Sequence, residues 1–370
     1  MLENNLSRYG TIARDISFDK LNPVGRIFFA VNPQACHIRS YLMPKVGGVQ
    51  VDTTRPPATW YAEVQNEFPP DRNGVVRFHS TIQAAVDATA VYDSISEPIG
   101  GRGDVVLVGP GKWKENVNIL EKVGLKIFGP GGRDYDGSYL GQMRSSDAST
   151  LYPIGALGLG GASGCTFSVL SKGVEIAGFF FDSDGGHAGI YVGGGLYSTV
   201  NNAAGYDDES AAGCYIHNNY FNNGYYGIVL DGCRNGVKIS NNIFYGHTRA
   251  SIAMWPGNAS CENTIIKDND FCAGNAGYGI WIYGEANACL STLIAGNTFR
   301  DGYGKVFAAA IKNMNATGGG VVGVCNNFFA CDVKMILSTG DYTSGNYYGW
   351  AGSATEDSNY FLVEATGGTT

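Results

Sequence analysis

Charge is scarce in this sequence: Asp, Glu, Lys and Arg make up 16% of 370 residues, and the balance is −8. Lys and Arg gather into no stripe, so a nucleic-acid partner is not expected. The negative balance favours solubility and would repel an acidic polysaccharide. Long apolar runs are missing too, and no segment reaches the roughly 20 residues of a membrane-spanning helix. The opening stretch MLENNLSRYGTIARD has no basic region followed by an apolar one, so the expectation is a chain without a signal peptide. Without secretion, the Asn-x-Ser/Thr triplets at Asn5, Asn258 and Asn315 carry no meaning. Neither Cys-x-x-Cys nor the Cys/His spacing of a metal site occurs, and no metal or cofactor is expected. There are nine cysteines, an odd number. Eight lie within or near the repeats described below: Cys165, Cys214, Cys233, Cys261, Cys272, Cys289, Cys325 and Cys331. They read as free thiols buried as small apolar fillers, in keeping with a reducing compartment.

What the chain has is glycine, 54 residues of it, and aromatics at 12%. That mixture suits a turn-dense β architecture rather than disorder. Between Gly213 and Ala330 one pattern returns five times: YIHNNYF (215–221), KISNNIF (238–244), IIKDNDF (265–271), LIAGNTF (293–299) and VGVCNNF (322–328). Aligned in this way, Asn219, Asn242, Asn269, Asn297 and Asn326 share one position, at spacings of 23, 27, 28 and 29 residues. Phe221, Phe244, Phe271, Phe299 and Phe328 follow two residues later. A weaker earlier copy, VEIAGFFF (174–181), has Phe179 where the others have Asn. Such a period marks a solenoid whose units bury their apolar faces on one another.

Between the copies lie short β-type runs, GIVL (227–230), SIAMW (251–255) and GIWIYG (279–284), with no room for a helix. Three strands and three corners per unit make a coil of a right-handed parallel β-helix. Equivalent Asn and Phe side chains would then stack at about 4.8 Å per coil. The Asn amides would satisfy free backbone groups of the corner.

Three segments follow from this reading. Residues 1–75 do not look like coils and read as an N-terminal attachment arm, RIFFAV (26–31) being its apolar strand. Residues 76–340 form the β-helix, with a capping helix at about 80–89. Ser80 is its candidate N-cap, Gln83 stands three residues on, and Ile82, Ala85, Val86 and Thr89 share one face. A cap of this kind covers the apolar end of an open stack. Residues 133–172 form an irregular passage, and 193–213 an insertion loop. After Thr339 the ladder is lost, and 341–370 read as a closing or oligomerisation segment.

The succession STIQAAVDA, DVVLVGPGKWKENV and GLKIFGPGG resembles the opening of the pectin-lyase-like superfamily of right-handed parallel β-helices. That superfamily includes pectate lyases, pectin methylesterases, polygalacturonases and many phage tailspikes. The resemblance implies the fold over about residues 78–340 and says little of activity, because cap and ladder residues are structural.

Polysaccharide hydrolysis needs two carboxylates about 5–9.5 Å apart, hence acids in equivalent positions one or two coils apart. The column after the Phe positions holds Asp182, Asn222, Tyr245, Cys272 and Arg300, with one acid. Three residues past each Phe stand Asp184, Gly224, His247, Gly274 and Gly302, which would put Asp184 and His247 two coils apart. Asp182, Asp184, His187 and His247 are the catalytic candidates. Asp268 and Asp270 flank a ladder Asn and read as caps on backbone amides. The motif sets of polygalacturonases and pectin methylesterases are not matched. Tyr191, Asp231, Trp255, Trp281 and Tyr283 lie on or beside equivalent strands and read as a face for a carbohydrate or a protein partner. The expectation is a phage virion component: a homotrimeric decoration or fibre-like protein, made in the host cytoplasm and held to other virion proteins by residues 1–75. It would contact host-surface glycans without cutting them. The alternative is a tailspike-type depolymerase; a third reading, a cellular surface protein with no phage connection, has the missing export signal against it.

Overall fold

A computed structural model of the chain describes residues 27–30, 78–89, 103–109, 111–120, 122–131, 141–144, 164–183, 187–193, 211–233, 236–255, 261–273, 277–283, 289–302, 305–314, 322–332, 335–337 and 341–348. Their strands form three main parallel sheets of 11, 9 and 8 strands. Each coil gives one strand to each sheet in turn, as Tyr215–His217, Tyr220–Asn222 and Tyr226–Asp231 do before Lys238–Ser240 starts the next coil. The result is the right-handed parallel β-helix expected from the repeats. The sheets are called here, in chain order within a coil, the ladder sheet, the phenylalanine sheet and the aromatic sheet.

The corner between the first two sheets takes two residues. Asn218, Asn241, Asp268 and Asn326 adopt φ between 53° and 56°, and Gly178, Gly296 and Gly345 occupy the same corner with φ of 83°, 67° and 64°. This left-handed region admits Gly readily and Asn or Asp at low cost, which explains why these residue types alone stand there. The next residue turns its amide inward. Asn219 donates through Nδ2 to Ile176 O at 3.1 Å and to Asn242 Oδ1 at 3.1 Å, while its Oδ1 accepts the Phe179 amide at 3.0 Å. Buried corner groups are thereby paired.

Two residues on, the rings stack. Phe181, Phe221, Phe244, Phe271, Phe299 and Phe329 are fully buried, with successive centroids 4.7–5.0 Å apart and planes within 8° of parallel. Across the core the column meets glycines of the aromatic sheet. A Cβ at Gly189, Gly227 or Gly279 would come within 2.7–2.9 Å of the ring of Phe221, Phe244 or Phe299. A backbone oxygen of the neighbouring strand would stand as close, 2.4–2.8 Å away, so these positions are glycine where both ring and strand need the room.

The top of the stack is closed by helix Ile82–Ala88, which turns Ile82, Ala85 and Val86 onto the core. Its N-cap is Thr81, whose hydroxyl accepts the Ala84 amide at 3.1 Å, one residue beyond the Ser80 expected from the capping-box pattern. The Glu115 carboxylate accepts the Ile82 and Gln83 amides at 3.2 and 3.1 Å, so the carboxylate satisfying the helix start comes from the following coil. At the other end Lys122 Nζ donates to Asp87 O and Thr89 O at 3.2 and 2.7 Å, a cation at a helix C-terminus.

The last repeats correct the alignment. Asn297 pairs with Asn327, not Asn326: Asn327 Oδ1 accepts the Asn297 backbone and side-chain amides at 2.9 and 3.0 Å. Asn326 is the left-handed corner residue, and Phe329 rather than Phe328 stacks in the core, leaving Phe328 exposed. The ladder also continues into the tail. Asn346 Oδ1 accepts from Asn327 N at 2.9 Å, and Tyr342–Ser344 and Tyr347–Tyr348 extend two of the sheets. Of the expected arm, only Ile27–Ala30 is described, and it lies within the ladder sheet between Phe78–His79 and Val105–Val108. The insertion at 193–213 and the passage at 133–172 fall largely outside the described residues. The eight described cysteines are all free, seven of them buried, and Cys325 is half-buried.

Candidate functional site: an aromatic ledge on the third sheet

The aromatic sheet carries a second apolar cluster on its outer face, apart from the core. Tyr191, Tyr226, Val229, Ala250 and Ala253 are its buried members, and the half-buried Tyr278, Trp281 and Trp255 pack against it. Register decides who meets whom. Tyr191, Val229, Ala253, Trp281 and Lys312 form one column, and Gly193, Asp231 and Trp255 the next. Tyr283 N donates to Met254 O and Met314 N to Ile282 O, which continues that second column through Tyr283 and Met314.

The five residues expected on this face split into two groups. Tyr191 and Asp231 are buried, and the Tyr191 hydroxyl donates to Asp231 Oδ2 at 2.7 Å. Burial pushes the Tyr191 phenol well above its ordinary range, and the Asp231 carboxylate pushes it further. This pair therefore holds the upper sheet together and offers no surface. Trp255, Trp281 and Tyr283 do meet as a ledge. Trp255 and Tyr283 stack at 4.2 Å with planes 3° apart, and Trp281 stands edge-on to Tyr283 at 5.4 Å.

The structure adds three residues that the sequence reading passed over. Tyr278 lies 5.4 Å from Trp281, and Lys312 Nζ sits 5.1 Å above the Tyr278 ring and 3.3 Å from its hydroxyl. Met314, 41% exposed, receives the Trp281 indole N–H on its sulfur at 3.4 Å. Lys312 and Met314, two residues apart, carried the strand period as a signal, whereas Tyr278, three residues before Trp281, shares its face only because the alternation breaks on this strand. Together with Trp255, Trp281 and Tyr283 they make a shelf of four rings and a thioether edged by an ammonium. Such a surface stacks on the apolar face of a flat ring and donates hydrogen bonds at its rim.

The two catalytic candidates among the described residues, Asp182 and His247, do not come together on a surface. Asp182 is buried at the end of Phe180–Asp182 and accepts from Asn222 Nδ2 at 3.1 Å. His247 points into the core, with Nδ1 3.2 Å from Ser251 Oγ and its ring edge-on to Phe244. Burial lowers its pKa to about 3, so the imidazole is neutral at ordinary pH and out of reach of a surface acid. Asp184 and the side chain of His187 lie outside the described residues. Asp268 and Asp270 pair with cations instead of capping amides: Lys267 Nζ at 3.3 Å and Arg300 at 2.7 Å. A titratable cluster that the sequence reading missed lies on the ladder sheet. Glu175 takes His217 at 2.9 Å and Lys126 at 3.2 Å. Burial would raise that carboxyl, but its two partners together hold it below its ordinary value. Among the described residues no group of three His, Cys, Asp or Glu could hold a metal.

No family model matches the chain. A curated protein, a cell surface glycoprotein of Methanothermus fervidus, is 27% identical over 254 residues, covering 64% of this chain. The chain spans 35% of that relative's length. Among solved structures, a pectin methylesterase from carrot is 13% identical, covers 78% of this chain with 85% of its own, and has a TM-score of 0.46. A pectin methylesterase from Erwinia chrysanthemi is likewise 13% identical, covers 78% of this chain with 89% of its own, and has a TM-score of 0.42. At such identities the likeness is one of fold.

Proposed function

We propose that this chain is a glycan-binding β-helix of a surface protein, and that it binds its glycan without cutting it. The observation that carries the reading is the ledge of Trp255, Trp281 and Tyr283 edged by Lys312. Support for the absence of cutting comes from how the candidate groups are occupied: Asp182 by Asn222, Asp231 by Tyr191, and His247 within the core. Support for a surface setting comes from the similarity to the cell surface glycoprotein of Methanothermus fervidus. The virion setting, the homotrimer and attachment through residues 1–75 are proposals of the same kind, and mass measurement of the purified chain tests the trimer.

The test of the ledge is a titration of the full chain against a panel of neutral and acidic oligosaccharides. Removing two rings of the ledge with Trp281→Ala and Tyr283→Ala is expected to weaken the bound oligosaccharide by about tenfold or more, with the chain still folded by circular dichroism. Unchanged affinity in that variant moves the site off the ledge. Release of shorter sugars from any member of the panel makes the chain an enzyme.

A further inference from the structure

Away from the ledge, the corner between the ladder and phenylalanine sheets opens into a groove of about 510 Å³. A vertex of a three-sided coil lies opposite its third side, so this corner and the aromatic sheet occupy different sides of the molecule. The groove is lined by Asn241, Ile243, Asp268, Asp270, Thr298 and Arg300, with Gly296 between them. Its volume falls within the roughly 300–1,000 Å³ of small-molecule sites.

The groove exists because a column of side chains is interrupted. Asn218, Asn241, Asp268 and Asn326 share the left-handed corner position, and between Asp268 and Asn326 stands Gly296, with no side chain. Asp268 leans into the vacated space, so that a Cβ at residue 296 would stand 2.6 Å from its Oδ1. The corner backbone is pinned beneath by Asn242 and Asn269, whose amides are paired along the ladder.

The walls are charged but balanced. Lys267 sits 3.3 Å from Asp268, and Arg300 pairs with Asp270 Oδ2 at 2.7 Å. The opposite oxygen, Asp270 Oδ1, is buried and meets no hydrogen-bond donor among the described residues. Arg300 is half-exposed and keeps further N–H donors beyond the one used on Asp270. Ile243, 40% exposed, supplies an apolar patch beside these groups. A net anion would face two carboxylates here, and a cation would compete with two resident cations. Adjacent acceptors, a planar multiple donor and an apolar patch instead suit a neutral molecule with neighbouring hydroxyls.

We propose that this groove is a second saccharide site, selective for uncharged sugars and independent of the ledge. Arg300 and Asp270 Oδ2 would exchange part of their mutual pairing for vicinal hydroxyls of the sugar. Ile243 would take the apolar face of the ring.

The experiment uses the full chain carrying Trp281→Ala and Tyr283→Ala, with saturation-transfer NMR against neutral hexasaccharides of glucose, mannose and N-acetylglucosamine. At least one is expected to bind. Gly296→Asn should then weaken it at least tenfold, because Asn accepts this backbone conformation at three other coils and would fill the groove. Arg300→Ala, on an exposed side chain, should weaken it similarly without loss of fold. Absence of binding by all three sugars overturns the groove, as does binding that neither substitution alters. Because two of the ledge's rings are already removed and the residue 296 and 300 variants report on the groove alone, either result stands apart from the fate of the ledge reading.

Discussion

Asn242 Oδ1 accepts twice from Asn219, from the backbone N–H at 3.0 Å and from the side-chain amide at 3.1 Å. Asn242 in turn donates to Ile216 O and Ser240 O at 3.0 Å each, and to Asn269 Oδ1 at 3.1 Å. One side chain thus serves three successive coils. Asn242→Ala strips partners from a buried N–H and two carbonyls, at about 1–3 kcal/mol for each group left bare. Urea unfolding should show a loss of several kcal/mol, whereas Asn241→Gly, one residue earlier and already left-handed, should be near neutral.

The corrected frame at the last repeats predicts an asymmetry between neighbours. Asn327→Ala should destabilise as a ladder deletion does, because Asn297 and Asn346 both bond through it. Asn326→Gly should leave the melting temperature within a few degrees, since φ of 53° costs Gly nothing. Equal losses at the two positions would restore the original alignment.

The ring column can be tested from both sides. Phe244→Ala empties a fully buried site stacked at 4.9 Å on both neighbours and should cost about 3–5 kcal/mol. Gly227→Val presses on the same ring from the opposite sheet, where even a Cβ would come 2.8 Å from Phe244 Cδ1 and 2.6 Å from the Ser251 backbone oxygen, so ring and strand must both shift and the cost should exceed the roughly 1–3 kcal/mol of ordinary overpacking. Calorimetry of the two variants measures both effects.

His247 gives the fold a definite response to acid. Its pKa falls from 6.5 to about 3 through burial, so the unfolded chain binds this proton in a window where the folded chain does not. The contribution is complete above pH 6.5 and is lost as pH falls toward 3, with a slope of at most about 1.4 kcal/mol per pH unit. The stability of a His247→Gln variant measured from pH 7 to pH 4 should fall less steeply than that of the parent. Parallel slopes would mean that the imidazole takes up its proton without unfolding.

The fold was legible because the ladder repeats a chemical demand, an inward amide followed two residues later by a core ring. The frame slipped at Asn326-Asn327-Phe328-Phe329 because both key residues are doubled there, and either Asn satisfies a corner that asks for Asn, Asp or Gly. The last rung at Asn346 escaped because it follows by 19 residues and is flanked by tyrosines rather than the usual ring. Facing was harder to read than register. Gly189 points at Phe221 while the next residue, Ile190, is also in the core, so the alternation of a simple strand breaks there. The aromatic columns were placed correctly, but periodicity could not tell that Tyr191 is covered while Trp281 is not. That depends on what packs over each residue, which sequence spacing does not encode.

Ladder partners lie 23, 27, 28, 30 and 19 residues apart, yet the hydrogen bonds joining them are all 2.9–3.0 Å from backbone amide to side-chain oxygen. The variation in length is therefore absorbed at the other two corners of each coil, and the ladder corner works as a fixed spine. A chain built in this way can exchange its loops, or gain a whole turn, without renegotiating its core. Surface recognition and scaffold can then change on separate evolutionary clocks.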